Sequence, residues 1–208
     1  MENSWIDTRL NQEEMDFLWT AISEENKEDA SESLAGNISK SEYIEDKDNW
    51  FYKTVLKKLT ERLFYRDWDN FSKYHIEVDE GNDLPKFEMN IFWVNYQKQH
   101  EFNPLHFHSG GNGYSFVIFV KIPTHWKEQH ALPFSANSNT PRASDFAFVW
   151  SRKDSEQCIS INIPLSPEDE GRMLFFPAWL QHQVYPFYEC EEERITVSGN
   201  IFPKDLKV

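Results

Sequence analysis

From Phe87 onward the apolar residues stop recurring at helical spacing and alternate. Phe87, Met89, Ile91 and Trp93 are separated by Glu88, Asn90 and Phe92, and side chains two apart on an extended strand share a face. Strand-like runs continue at 104–108, 115–122, 145–150, 158–163, 172–176, 182–187 and 194–202, divided by Pro, Gly, Asn and Ser. About eight short strands without intervening helices form the pattern of a double-sheet jelly roll or a barrel. The 17 Phe, 8 Trp and scarce Gly (7) suit an aromatic-rich β core. A chain of 208 residues can bury a sizeable core without disulfides. The expectation is a single domain over 1–208. Residues 1–85 form a helical, polar support region, and residues 86–208 form the core, a double-stranded β-helix (jelly roll, cupin-like).

In the support region, Asn11-x-x-Glu14 reads as a capping box, and Met15, Leu18, Trp19 and Ile22 follow at helical spacing. Residues 23–48 are acidic and Ser-rich and read as a surface connection. A second helix is expected from Asp48 to Tyr65, where Phe51, Val55, Leu59 and Leu63 recur every four residues beside Tyr52 and Leu56. Residues 123–142, with His125, Trp126, His130, Pro133 and Pro141, break the strand pattern and are long enough for a lid or an insertion.

Lys+Arg 21 against Asp+Glu 35 leaves a formal charge of −14, which argues against nucleic acid as a partner. A dicarboxylate ligand would have to be held by local positive groups against that field. Cys158 and Cys190 show no metal spacing and are expected as reduced thiols. The first residues carry no basic or apolar leader pattern, and no run of 18 apolar residues occurs. A soluble, cytoplasmic protein with no membrane partner is expected.

The chemistry concentrates in two segments. Pro104-Leu-His106-Phe-His108 puts two histidines on one face of a strand, and Pro177-Ala-Trp-Leu-Gln-His182 presents a third after a Pro turn. Neutral imidazoles suit Fe, Zn, Cu or Ni, and three of them leave positions open for substrate or oxygen. His106, His108 and His182 are therefore the candidate catalytic metal ligands. Arg194 lies on the last long strand, where a core-facing guanidinium is costly unless it meets an anion. His75, His100, His125 and His130 read as surface or loop residues. Phe176, Trp179 and Tyr185 suit an apolar wall near His182, with core packing as the ordinary alternative.

Residues 93–202 resemble the double-stranded β-helix of the 2-oxoglutarate- and Fe(II)-dependent oxygenases, in the prolyl-4-hydroxylase-like branch found in bacteria and phages. The resemblance rests on Trp93-x-Asn95, Phe102-Asn103-Pro-x-His106-x-His108, Ser115–Pro123, Gly171-x4-Phe176-Pro177-x4-His182 and Glu193-Arg194-Ile-Thr196-Val-Ser-Gly-Asn200. Residues 33–66 are also similar to phage-encoded members, which would place the protein in a host cytoplasm. The resemblance implies Fe(II) on His106 and His182, and Arg194 with Thr196 on the distal carboxylate of 2-oxoglutarate. Asn95 would reach the cosubstrate or support the site, with Tyr96 as the alternative. It implies a dioxygenase (hydroxylase) that uses O2, with ascorbate as an accessory candidate, acts on a peptidyl residue or small molecule, and releases succinate and CO2. Most relatives carry His-x-Asp or His-x-Glu, whereas this chain has His108 at the carboxylate position. His108 is the third-ligand candidate, and Glu101 or water are the competitors.

Two other readings use the same residues. A cupin shares the jelly roll and a three-histidine site, but no Glu stands four or five residues beyond His108, and a cupin has no need of Arg194. A non-catalytic jelly-roll binding protein is the third, since fold alone does not decide function.

Overall fold

The strands pair into two antiparallel sheets. The computed structural model describes residues 4–66, 86–108, 113–151 and 157–204. In these residues the strands are β1 (Ile6–Arg9), β2 (Ser41–Tyr43), β3 (Phe87–Gln97), β4 (Asn103–His106) and β5 (Tyr114–Lys121), then β6 (Phe146–Ser151), β7 (Cys158–Ile163), β8 (Arg172–Pro177), β9 (Gln181–Val184) and β10 (Arg194–Pro203). The larger sheet runs β1-β8-β5-β10-β3-β2 and the smaller β4-β9-β6-β7. This is the expected mainly β double-stranded β-helix, and helices α1 (Gln12–Ser23) and α2 (Lys57–Arg66) support it.

Alternation assigns the two faces of the larger sheet. Phe116, Ile118 and Val120 of β5 and Met173 and Phe175 of β8 join one core cluster with Leu18 and Ile22 of α1 and Leu59 and Leu63 of α2. Their neighbours Val117, Phe119, Leu174 and Phe176 point the other way, into a second cluster with Phe146 and Phe148 of the smaller sheet. Strands covered on both faces read as unbroken apolar runs, which explains Phe116-Val-Ile-Phe-Val120.

The close approach of β10 to its neighbours depends on Gly199. A Cβ there would stand 2.6 Å from Phe116 Cζ and 2.8 Å from the Ile91 carbonyl oxygen. Gly199→Ala is expected to destabilise the fold by about 1–3 kcal/mol, the usual cost of overpacking a filled core. A thermal melt checks it, and an unchanged midpoint would contradict the tight packing.

The N-terminal elements follow the sequence in part. The capping box forms, with Glu14 N donating to Asn11 Oδ1 at 3.0 Å and Asn11 N to Glu14 Oε2 at 2.9 Å. The second helix begins later than Asp48. That residue has a left-handed backbone (φ 58°), and the Asp46 carboxylate accepts from Phe51 N and Tyr52 N at 2.7 and 2.9 Å. Its first stretch, Tyr52–Leu56, is a π-helical turn leading into α2. The region read as helical also supplies β1 and β2, short strands at opposite edges of the larger sheet. Residues 23–48 are more than a surface connection, because Ala30, Ile38 and Ser41 are buried. No described helix is long and apolar enough to cross a membrane.

Residues 123–142 form two short helices, α3 (Trp126–Ala131) and α4 (Pro133–Ala136). They are docked on the body of the protein. Gln129 donates to the Tyr188 carbonyl at 2.8 Å and accepts from Tyr188 N at 2.9 Å, and Trp126 N donates to the Leu165 carbonyl at 2.9 Å.

Candidate metal centre

The two histidine segments meet because β4 pairs with β9, with His106 directly opposite His182. Pro104 cannot donate to that ladder, and the register shifts between Asn103 and His106. His108 N donates to the Ala178 carbonyl at 3.0 Å, which ties it to the turn after Pro177. The ligating-type nitrogens of His106, His108 and His182 all lie within 4.8 Å of one another, the one such cluster of three or more His, Cys, Asp or Glu among the described residues. Nitrogens bound to one metal at about 2.1 Å lie roughly 3–4 Å apart, so small side-chain adjustments close the set on an ion.

The rings are held by their far nitrogens. His106 Nδ1 lies 2.7 Å from the Pro104 carbonyl oxygen, and His182 Nδ1 lies 3.0 Å from that of Leu180. A carbonyl only accepts, so each Nδ1 carries the hydrogen and each Nε2 keeps a free lone pair. His108 Nδ1 faces the Asn200 carboxamide at 3.5 Å, and Asn200 Oδ1 in turn accepts from Ser115 Oγ at 2.8 Å. Phe146 and Phe176 enclose His182, with ring centroids 5.8 and 4.8 Å away.

Burial favours the neutral rings that metal binding requires. Desolvation first, then the charge of His106, lowers His108 from 6.5 to about 4. The same two causes hold His182 well below its ordinary value, and desolvation lowers His106. An unfolded chain protonates these rings below about pH 6.5, whereas the folded metal-free protein resists until about pH 4 at His108. The contribution of His108 to stability is therefore intact above about 6.5 and drains away as pH falls toward 4, and the lowered values of His106 and His182 act in the same direction. Thermal midpoints of chelator-treated protein should drop over that window, less steeply in His108→Gln. Identical profiles for the two proteins would refute this.

Arg194 sits at the start of β10, with no solvent exposure. Its Nη2 donates to the Ser144 carbonyl at 3.0 Å and to Ser144 Oγ, and the Phe187 ring lies 5.1 Å from Cζ. Nε and Nη1 have no hydrogen-bond partner among the described residues. A buried guanidinium with unused donors is complementary to a carboxylate. Desolvation lowers its pKa to about 10, against the opposing pull of Asp145, so it stays charged at neutral pH.

A cavity of about 310 Å³ lies beside the histidines. Thr196 and Ser198 of β10 line it, and so does Asn95, opposite Thr196 in the β3–β10 ladder. Asn95 Oδ1 accepts from Ser41 Oγ at 2.8 Å. Tyr96, the alternative, belongs to the core cluster on the other face and packs under Lys40 at 4.3 Å. Glu101 is engaged elsewhere, accepting from Ser39 N and Lys98 N at 3.0 and 2.9 Å. Phe176 is part of the cavity wall, whereas Trp179 is exposed and the Tyr185 hydroxyl accepts from Gln183 and Arg142 outside it.

Three features were not foreseen. Leu34, Ala35 and Ile38, from the supposed surface connection, line the cavity. Trp93 Nε1 and Asn103 Oδ1, both on cavity-lining residues, are buried without hydrogen-bond partners among the described residues. His130, read as a loop residue, is hydrogen-bonded to buried Asp145 at 2.8 Å. Of the remaining histidines, His75 lies outside the described residues.

A double-stranded β-helix with a histidine cluster on its smaller sheet and a buried arginine on its larger sheet defines a class of metal-dependent jelly-roll enzymes. Within it, the family model described as "Putative 2OG-Fe(II) oxygenase" matches residues 91–200, more than half of the chain, and the protein belongs to this family of 2-oxoglutarate- and Fe(II)-dependent oxygenases. Three solved structures share the fold. A Pseudomonas putida prolyl-4-hydroxylase is 13% identical with TM-score 0.51, over 98% of this chain and 94% of that one. A Burkholderia pseudomallei oxidoreductase of the 2OG-Fe(II) oxygenase family is 9% identical with TM-score 0.54, over 98% and 88%. The alpha-ketoglutarate-dependent carbocyclase SnoK from nogalamycin biosynthesis is 10% identical with TM-score 0.56, over 97% and 80%. At these identities the likeness is one of fold. No curated protein matches the sequence.

Proposed function

We propose that the chain acts as one catalytic domain in which His106 and His182 hold Fe(II) through Nε2 and His108 supplies the third ring nitrogen. Arg194, helped by the Thr196 hydroxyl, would bind the distal carboxylate of 2-oxoglutarate. The observation that carries this reading is the neutral three-histidine cluster, with the Nδ1 atoms of His106 and His182 committed to carbonyl oxygens. The unused Nε and Nη1 of Arg194 supply the fit for the dicarboxylate. Iron with its cosubstrate supplies oxidative chemistry that consumes O2 and releases succinate and CO2.

The chain's own residues bind, orient and shield. Pro104 and Leu180 fix the tautomers of two ligands through their carbonyls. Asn200 sits against the far side of the third. Phe146 and Phe176 keep water from His182. With His108 in place of a carboxylate the site carries one more positive charge, which strengthens its attraction for a dianionic cosubstrate. The substrate is a peptidyl residue or a small molecule whose reacting part is uncharged, since the cavity is lined by aromatic, aliphatic and neutral polar side chains. The unpartnered Trp93 donor and Asn103 acceptor are available to it.

The test is succinate release from 2-oxoglutarate by the Fe(II)-loaded protein with peptide and small-molecule substrates. Anaerobic mixing of Fe(II) and 2-oxoglutarate should also give a weak visible charge-transfer band. Metal binding and turnover that ignore 2-oxoglutarate would overturn the reading.

A further inference from the structure

The buried charges around Arg194 do not balance once a carboxylate joins them. Asp145, immediately before β6, has a side chain 1% exposed, and its Oδ1 lies 2.8 Å from His130 Nε2. Its Oδ2 has no hydrogen-bond partner among the described residues. Three charged or titratable groups act on it: His130 from α3, Arg194 from β10, and Arg142 from the turn before β6. Just after β9, Tyr185 offers only its backbone N–H to the Asp145 carbonyl, at 2.9 Å, while its hydroxyl accepts from Arg142. Arg142 also reaches Ser160, at 3.2 Å on the exposed side. Arg194 is thus the one fully buried cation at this point.

The neighbouring residue strengthens the case that this corner is built for a ligand. Ser144 adopts a left-handed backbone (φ 74°) and is pinned there by its N–H to the Pro186 carbonyl at 2.9 Å. Its carbonyl and hydroxyl both accept from the same Arg194 nitrogen. Strain of this kind persists where surrounding structure enforces it, and here it turns the guanidinium so that two nitrogens stay unused.

Free of ligand, Arg194 offsets the charge of Asp145 at a distance in the state where the His130–Asp145 pair carries one net negative charge. A second carboxylate on Arg194 would leave two buried negative charges sharing one buried positive charge. Such an arrangement is costly in a low-dielectric interior unless a proton joins it. The hydrogen-bonded His130–Asp145 pair is the place in the described structure that can take one. Burial already pushes the Asp145 carboxyl upward, with His130, Arg194 and Arg142 pulling the other way.

We propose that binding of the cosubstrate's distal carboxylate to Arg194 draws one proton from solvent onto the His130–Asp145 pair. These two residues are then positioning residues of the cosubstrate subsite, and helix α3 is coupled to cosubstrate capture through His130. The proposal rests on Arg194 being the carboxylate clamp.

Calorimetry of 2-oxoglutarate binding to anaerobic, Mn(II)-loaded full-length protein, in buffers of different ionisation enthalpy, counts the protons taken up. The wild type should take up as much as one proton above neutral pH. Its affinity should weaken with rising pH, by at most about tenfold per unit. Asp145→Asn should remove that uptake, flatten the pH dependence and bind more tightly at high pH. Equal proton counts in wild type and Asp145→Asn, or none in the wild type, would overturn the proposal. If Asp145→Asn does not fold, His130→Gln replaces it: a lowered count supports the coupling and an unchanged count overturns it. Arg194→Gln separates the two ideas. If it leaves 2-oxoglutarate affinity intact, the clamp itself is wrong; if it removes affinity while the proton counts stay equal, only the coupling fails.

Discussion

Replacing His182 by alanine is expected to abolish Fe(II) binding at micromolar concentrations and with it all 2-oxoglutarate-dependent turnover. Three properties make this ring the anchor of the centre. It is 6% exposed, it is enclosed by Phe146 and Phe176, and its Nδ1 is fixed on the Leu180 carbonyl. It is therefore preorganised, and the described residues hold no further His, Cys, Asp or Glu in the cluster to replace its Nε2. Loss of an outer partner of a ligand commonly costs about 10–100-fold in metal affinity, so loss of the ligand should cost more than about 100-fold. The alanine also leaves a cavity worth roughly 2–4 kcal/mol. His182→Gln is the better-filled comparison, and should lose the metal with a smaller fall in thermal midpoint. His108→Ala should be the mildest of the three single losses. Its ring is less buried than His182, and its Nδ1 contact with Asn200 is 3.5 Å, against 2.7 Å for His106 and 3.0 Å for His182. Titration of Fe(II) or Mn(II) into the three variants checks the order. Full affinity in His182→Ala would remove this site from the mechanism, and full affinity and turnover in His108→Ala would remove His108 alone.

What was legible in the sequence had a local period. The β core, the capping box at Asn11 and the Phe51-Val55-Leu59-Leu63 stripe each repeat at a spacing that one kind of backbone turns into one face. The histidine set was legible for a related reason: His-x-His shares a strand face, and a Pro turn shortens the return path of His182. Features without a period escaped. β1 and β2 are four and three residues long, too short for alternation to register, and they sit at sheet edges. Leu34-Ala-Gly36 has the composition of a turn, yet Gly36 lets it lie against β4, where a Cβ would come within 2.3 Å of the Phe102 carbonyl oxygen. Asn95 and Tyr96 could not be separated because residues 92–97 are buried on both faces, and the pairing of Asn95 with Thr196 distinguishes them. His130 meets Asp145 across 15 residues that include the short helix α4, a tertiary contact that no spacing rule reports.

Arg194→Met is expected to separate cosubstrate binding from folding. Removing one partner of a buried, hydrogen-bonded charge pair typically costs about 2–5 kcal/mol, which is roughly 30-fold to several-thousand-fold in 2-oxoglutarate affinity. The effect on the ligand-free fold should be far smaller, because two changes oppose each other. Ser144 loses a donor that served both its carbonyl and its hydroxyl. Against that, the unpartnered Nε and Nη1 disappear from the interior, and each such buried donor costs about 1–3 kcal/mol while it remains. Methionine fills similar volume without polar atoms, and Asp145, which loses the charge of Arg194, keeps His130 as its hydrogen-bond partner. Thermal melts of metal-loaded protein with and without 2-oxoglutarate read both effects at once. At a ligand concentration of about 100 times Kd the wild type gains about 2.7 kcal/mol from binding. The variant should melt near the wild-type midpoint without ligand and show almost no shift with it. A ligand-induced shift equal to the wild type would exclude Arg194 from the cosubstrate site. A collapse of the ligand-free midpoint would mean instead that the guanidinium is held in place for the fold.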